Sequence, residues 1–91
     1  MTRQTVLICN ELGLHLRAAA RIVGSTARFP CQVWLSANDV TVDGKSLLGI
    51  TSLMASQGTA VTVSAEGLKE EQAVQETCRL IESGFAPSTA S

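Results

Sequence analysis

The sequence predicts an α+β fold, an open-faced sandwich in which a four-stranded antiparallel sheet is covered on one side by three helices. Three observations carry this reading. Ninety-one residues are enough for one small core and not for two. The periodicity of the chain runs strand, helix, strand, strand, helix, strand, helix. Each strand segment has a single apolar face and each helical segment a single apolar stripe, and both are buried if all three helices pack on the same side of one sheet.

The first strand is "RQTVLIC", rich in aliphatic and β-branched residues, with Val6 and Ile8 on one face and an end near Cys9. After the loop "NELG" the spacing turns helical. Leu16, Ala20, Val23 and Ala27 form a stripe that Ala19 and Ile22 widen, Arg17, Arg21 and Arg28 share another face, and the helix stops before Pro30. "CQVWLSA" and "VTVD" alternate around the turn Asn38-Asp39, with Val40 and Val42 directed inward, as a hairpin does. Ser46 stands as the cap of a short helix carrying Leu47, Ile50, Leu53 and Met54, weakened by Gly49. "TAVTVSAEG" alternates as the fourth strand. "LKEEQAVQETCRLIESG" closes the fold as a helix with acidic residues at its start, Val74, Thr77, Cys78 and Ile81 on one face, and Gly84 as its stop. The domain is expected over 1–85, with 86–91 as a flexible tail.

Composition narrows the function classes. Seven basic against eight acidic residues, no Tyr and one Trp argue against nucleic acid as a partner. No stretch has the length and apolarity of a membrane span or the pattern of a signal peptide, so a cytoplasmic protein without membrane insertion is expected. Cys9, Cys31 and Cys78 are widely spaced and odd in number; they read as small buried apolar residues, neither a disulfide framework nor a metal or redox site. No metal and no cofactor is expected.

The lone histidine is the residue with chemistry to offer. His15 falls where loop becomes helix, in the cap position, ahead of the unpaired backbone donors of Leu16, Arg17 and Ala18. Such a helix entrance favours an anion, and the Arg17 guanidinium suits phosphate oxygens. An imidazole can act as a neutral nucleophile near physiological pH, and the positive end of a helix disfavours its protonated form. A histidine near a helix start is, however, more often a plain polar cap, and these residues alone leave both readings open.

The segment "GLHLRAAA" resembles the active-site signature of the HPr family, the histidine-containing phosphocarriers of the phosphoenolpyruvate-dependent phosphotransferase system. "GKSLLGI" is similar to that family's regulatory-serine segment and "QGTAVTVSAEG" to its last strand, so the resemblance spans about Thr2 to Ser83. It implies the family's fold and a carrier function. His15 would be phosphorylated on Nδ1 by the phosphoenolpyruvate-using first enzyme and would pass the group to a downstream acceptor domain, with Arg17 holding the phosphate. Activity would depend on partner enzymes, serving sugar uptake or a regulatory branch. Two departures from the family pattern, Leu16 after the histidine and Ala18 after the arginine, are expected to alter partner preference rather than phosphate acceptance.

Ser46 reads as an N-cap, and the resemblance adds possible phosphorylation by an HPr kinase, which a helix N-terminus tolerates electrostatically. Of Leu14, Leu16, Leu47, Leu48, Ile50 and Met54, about half are expected in the core, because helices of small domains bury one stripe. The exposed ones, with Leu16, Leu47, Leu48 and Met54 as candidates, would form a docking patch rimmed by Arg17, Arg21 and Lys45. A monomer is expected of a carrier that presents one face to successive partners. The alternative is a regulatory binding module, of a nitrogen-related branch or governed by Ser46 phosphorylation, that modulates partners without onward transfer to sugar. A metal-chaperone-like domain is disfavoured because His15 has no neighbouring Cys or second His.

Overall fold

The computed structural model describes residues 1–85; the proposed tail lies outside them. The elements are β1 (Thr2–Leu7), α1 (Leu16–Thr26), β2 (Gln32–Ala37), β3 (Val40–Asp43), α2 (Leu47–Ser52), β4 (Ala60–Glu66) and α3 (Glu70–Glu82). All strand pairs are antiparallel and the sheet order is β1-β4-β2-β3. β4, the last strand in sequence, thus lies inside the sheet between β1 and β2, where its alternate residues Val61, Val63 and Ala65 are buried on the helix side. Asn38 and Asp39 both take positive φ (53° and 65°), the backbone twist that a two-residue hairpin loop requires.

One core lies between sheet and helices. Val6, Ile8, Val33, Leu35, Val61 and Val63 from the sheet meet Ile22 of α1, Ile50 of α2 and Val74, Cys78 and Ile81 of α3. Among the described residues the other face of the sheet carries no helix, as the strand alternation predicts. Among the described residues no helix is long and apolar enough to cross a membrane.

Four expectations are corrected. In α1 the buried residues are Ala18, Ala19, Ile22 and Thr26, whereas Leu16, Ala20 and Ala27 face solvent. The true stripe is turned by about one residue, roughly 100°, from one anchored on Leu16. Burial follows the small alanines, which let the helix lie close to its neighbours, and not the larger apolar side chain at the helix entrance. Cys9 is exposed, just past the end of β1, where its thiol donates to the Glu82 carbonyl at 3.3 Å. Val40 on the edge strand β3 is exposed and Val42 only partly buried, because no helix lies fully over that edge. Met54 does not continue α2: the helix ends at Ser52, and Met54 takes φ 51° with its side chain in solvent.

Candidate functional site

The route into α1 begins with a tight turn. The Gly13 amide donates to the Asn10 carbonyl at 3.2 Å, and the Asn10 side-chain amide donates back to the Gly13 carbonyl at 2.8 Å. Gly13 has φ 66°, and a Cβ there would collide with the Ala55 carbonyl oxygen, so glycine is required both for conformation and for close approach. The next amide, Leu14 N–H, donates to that same Ala55 carbonyl at 2.9 Å, while the Leu14 side chain is buried. The residue before His15 is therefore pinned to the segment following α2.

His15 is the N-cap of α1, with extended backbone (φ −73°, ψ 177°). Its carbonyl accepts the first helical bond from Ala19 at 2.9 Å, and its Nδ1 accepts from the Arg17 backbone N–H at 3.2 Å. An Nδ1 that accepts carries no proton, so a neutral ring holds its proton on Nε2. The Nδ1 lone pair is thereby aimed at the helix entrance. The ring is partly exposed and lines an open hollow of about 310 Å³ together with Asn10, Arg17, Arg21 and Phe85.

The candidate phosphate-handling residues separate in this setting. Leu16 and Arg17 are exposed at the helix entrance, whereas Ala18 is 0% exposed, which screens its amide from an arriving anion. Arg17 stands on the rim of the hollow. Arg21 lines the same hollow and donates from Nη1 to the Phe85 carbonyl at 2.8 Å, tying the end of α3 to the site. Sequence reasoning did not include Asn10, Ala55 or Phe85. The Asn-x-x-Gly spacing was the available signal for the first; the other two come from distant segments.

Ser46 caps α2, its Oγ accepting from the Gly49 amide at 3.0 Å. Leu16, Leu48 and Met54 are 62%, 79% and 83% exposed and Leu47 is also exposed, while Leu14 and Ile50 are core residues. Four of the six apolar candidates are thus available for docking. Lys45 donates from Nζ to the Phe29 carbonyl at 2.6 Å, which holds it against the end of α1. Among the described residues no group of three or more His, Cys, Asp or Glu is gathered for a metal ion.

Comparison with known proteins agrees with this fold. The family model for the PTS HPr component phosphorylation site matches residues 2–83. Phosphocarrier protein HPr of Pseudomonas aeruginosa is 42% identical over 81 residues, covering 88% of this chain and 90% of that one. Among solved structures, HPr-C-His from Thermoanaerobacter tengcongensis superposes with a TM-score of 0.90 at 42% identity, covering 97% of this chain and 99% of that chain. Crh, the Bacillus subtilis catabolite repression protein seen as a swapped dimer, gives a TM-score of 0.74 at 33% identity, with 92% and 97% covered.

Proposed function

The chain belongs to the HPr phosphocarrier family of the phosphotransferase system, and on that premise we propose that His15 is the residue that carries its phosphoryl group. The observation that carries this assignment is the direction of Nδ1, which points at the first-turn amides beside an open hollow rimmed by Arg17. As Nδ1 attacks, the N–P bond forms while the bond between phosphorus and its donor breaks, the electron pair staying with the donor. The Arg17 N–H that holds Nδ1 in the resting state exchanges its partner for a phosphoryl oxygen, so this amide keeps an acceptor at each stage. With Ala18 screened, the amides of Leu16 and Arg17 and the Arg17 guanidinium receive the negative charge. Transfer onward repeats the exchange in reverse.

The phosphoryl donor in this reading is the phosphoenolpyruvate-using first enzyme and the acceptor a downstream domain, both docking over Leu16, Leu47, Leu48 and Met54 in the cytoplasm, with the carrier a monomer. Ser46 is proposed as a second modification point for an HPr kinase. Its oxygen already faces the α2 entrance, where a phosphate is tolerated. Leu16→Thr with Ala18→Pro should redistribute transfer rates among acceptors; equal rates to every acceptor would remove the role given to those two positions. The regulatory module without onward transfer has weaker support, because both His15 and Arg17 stand at the helix entrance.

Incubation of the protein with the first enzyme and labelled phosphoenolpyruvate tests the main assignment. Acid-labile label that disappears in His15→Ala supports it. No label, or label that survives His15→Ala, overturns it.

A further inference from the structure

The helix-free face of the sheet is not a uniform polar surface. The strand registers align two rows across it: Arg3, Ser64, Trp34 and Asp43 in one, and Thr5, Thr62, Ser36 and Thr41 in the next. With strands about 4.8 Å apart, each row of four spans roughly 14 Å, and rows two residues apart are separated by about 6.7 Å. An open hollow of about 490 Å³ lies over these rows, lined by Trp34, Met1, Arg3 and the hydroxyl-bearing Ser36, Thr41, Thr62 and Ser64.

Trp34, the protein's only tryptophan, is the one aromatic group on this face and sits on an interior strand. Among the described residues no hydrogen bond engages its indole N–H. The second row is a set of hydroxyls arranged in two pairs, Thr5 with Thr62 at 2.9 Å and Ser36 with Thr41 at 2.7 Å. Each pair shares one proton internally, which leaves one O–H and several lone pairs to face outward. Arg3, whose Nη2 donates to the Met1 sulfur at 3.6 Å, is the charged side chain that lines the hollow, and Asp43 at the far end of the row lies outside it. The amino terminus is drawn off to Glu70 at 3.2 Å.

These features together select a ligand. A single guanidinium offers little field for a polyanion such as nucleic acid. Of the described residues, Trp34 and Met1 are the only large apolar side chains among these short hydroxyls, fewer than the apolar centre of a protein-docking surface holds. What it matches is a ring with an apolar face for stacking and hydroxyls around its edge. We propose that this face is a binding platform for a neutral pyranose saccharide, which stacks on Trp34 and exchanges hydrogen bonds with Ser36, Thr41, Thr62 and Ser64. The platform is on the side of the sheet away from the helices, so it stands independently of the role assigned to His15.

The single tryptophan reports on the site directly. Titration of the intact protein with maltose should give a saturable change in Trp34 emission in the millimolar range. In ¹⁵N-labelled protein the Trp34 Nε1 signal and the amides of Ser36, Thr62 and Ser64 should shift together with the same midpoint. Sorbitol, an acyclic polyol with no ring face to stack, should give no saturable response. The double variant Ser36→Ala with Thr62→Ala, which keeps the indole, should raise the midpoint about tenfold for two lost hydrogen bonds. Trp34→Ala should abolish the shifts while leaving phosphoenolpyruvate-dependent labelling intact. A linear response to maltose, an equal response to sorbitol, or shifts centred elsewhere on the protein would overturn the proposal.

Discussion

Replacing Ser46 by alanine isolates the energetic role of one hydroxyl. α2 has only six residues, and Ile50 is its one buried side chain, so it is far shorter than a helix that persists without outside support. Gly49 adds about 1 kcal/mol of propensity cost relative to alanine. Against this the Ser46 hydroxyl satisfies the Gly49 amide at 3.0 Å, while the Ser46 carbonyl accepts from Ile50 at 3.0 Å. Loss of a serine N-cap costs about 1 kcal/mol, which for a domain of this size lowers Tm by roughly 4–8 °C. Ser46→Asp, which presents a carboxylate to the same amide at the positive end of the helix, should stay close to the parent protein. Calorimetry of the three proteins reads the global effect. Hydrogen exchange at Gly49 and Ile50 reads the local one, with protection falling about fivefold in Ser46→Ala if the helix opens on its own. Should both variants lose stability alike, or Ser46→Ala match the parent, the hydroxyl is not what holds α2 in place.

Two buried threonines should respond oppositely to the same change. Thr26→Val removes a 2.8 Å bond to the Gly44 carbonyl and should destabilise by about 1–3 kcal/mol; Thr77→Val replaces a buried hydroxyl with no partner among the described residues and should raise Tm, both read by thermal unfolding. The Glu70 carboxyl is held down to about 2, from 4.5, by the Thr2 hydroxyl first, then the Gly67 amide and the amino terminus. A carboxyl lowered in the folded state contributes stability that is present above 4.5 and lost as pH falls through about 2; in ¹³C-detected titration, Thr2→Val should move the midpoint back toward the ordinary value. The Cys78 thiol is pushed up to about 11 by burial, with the Glu82 charge adding to it, and Cys31 is buried as well. Alkylation of the native protein near pH 8 should therefore label Cys9 alone, with the other two reacting only after unfolding, as mass spectrometry of peptides would show.

Much of the fold was legible because period and chemistry agreed along most of the chain. Val61, Val63 and Ala65 alternate with Thr62, Ser64 and Glu66, and that alternation alone separates a core face from a solvent face. Val74, Thr77, Cys78 and Ile81 share one side of α3 and are all buried. α1 was harder, since a run of three alanines between Arg17 and Arg21, with Leu16 and Ile22 one step beyond, is compatible with more than one stripe; packing against α2 and α3, which no window of sequence contains, selected Ala18, Ala19, Ile22 and Thr26. Cys9 and Met54 were misread for a related reason. Each lies one or two residues past the end of an element, where an apolar side chain continues the pattern after the backbone has left it.

The candidate site divides in the same way. His15 as a cap, Arg17 beside it and Ser46 at the start of α2 are local matters, since a helix entrance and its unpaired amides are set by neighbours within a few residues. By itself the sequence therefore determined the order of elements, the inward faces of the interior strands and the identity of the two capping residues. The tertiary structure decided what distant segments do to them. Ala55 closes over Gly13, Phe85 is brought to Arg21, and Ala18 is withdrawn from solvent, because sheet order and helix packing set those approaches through contacts between residues far apart in the chain.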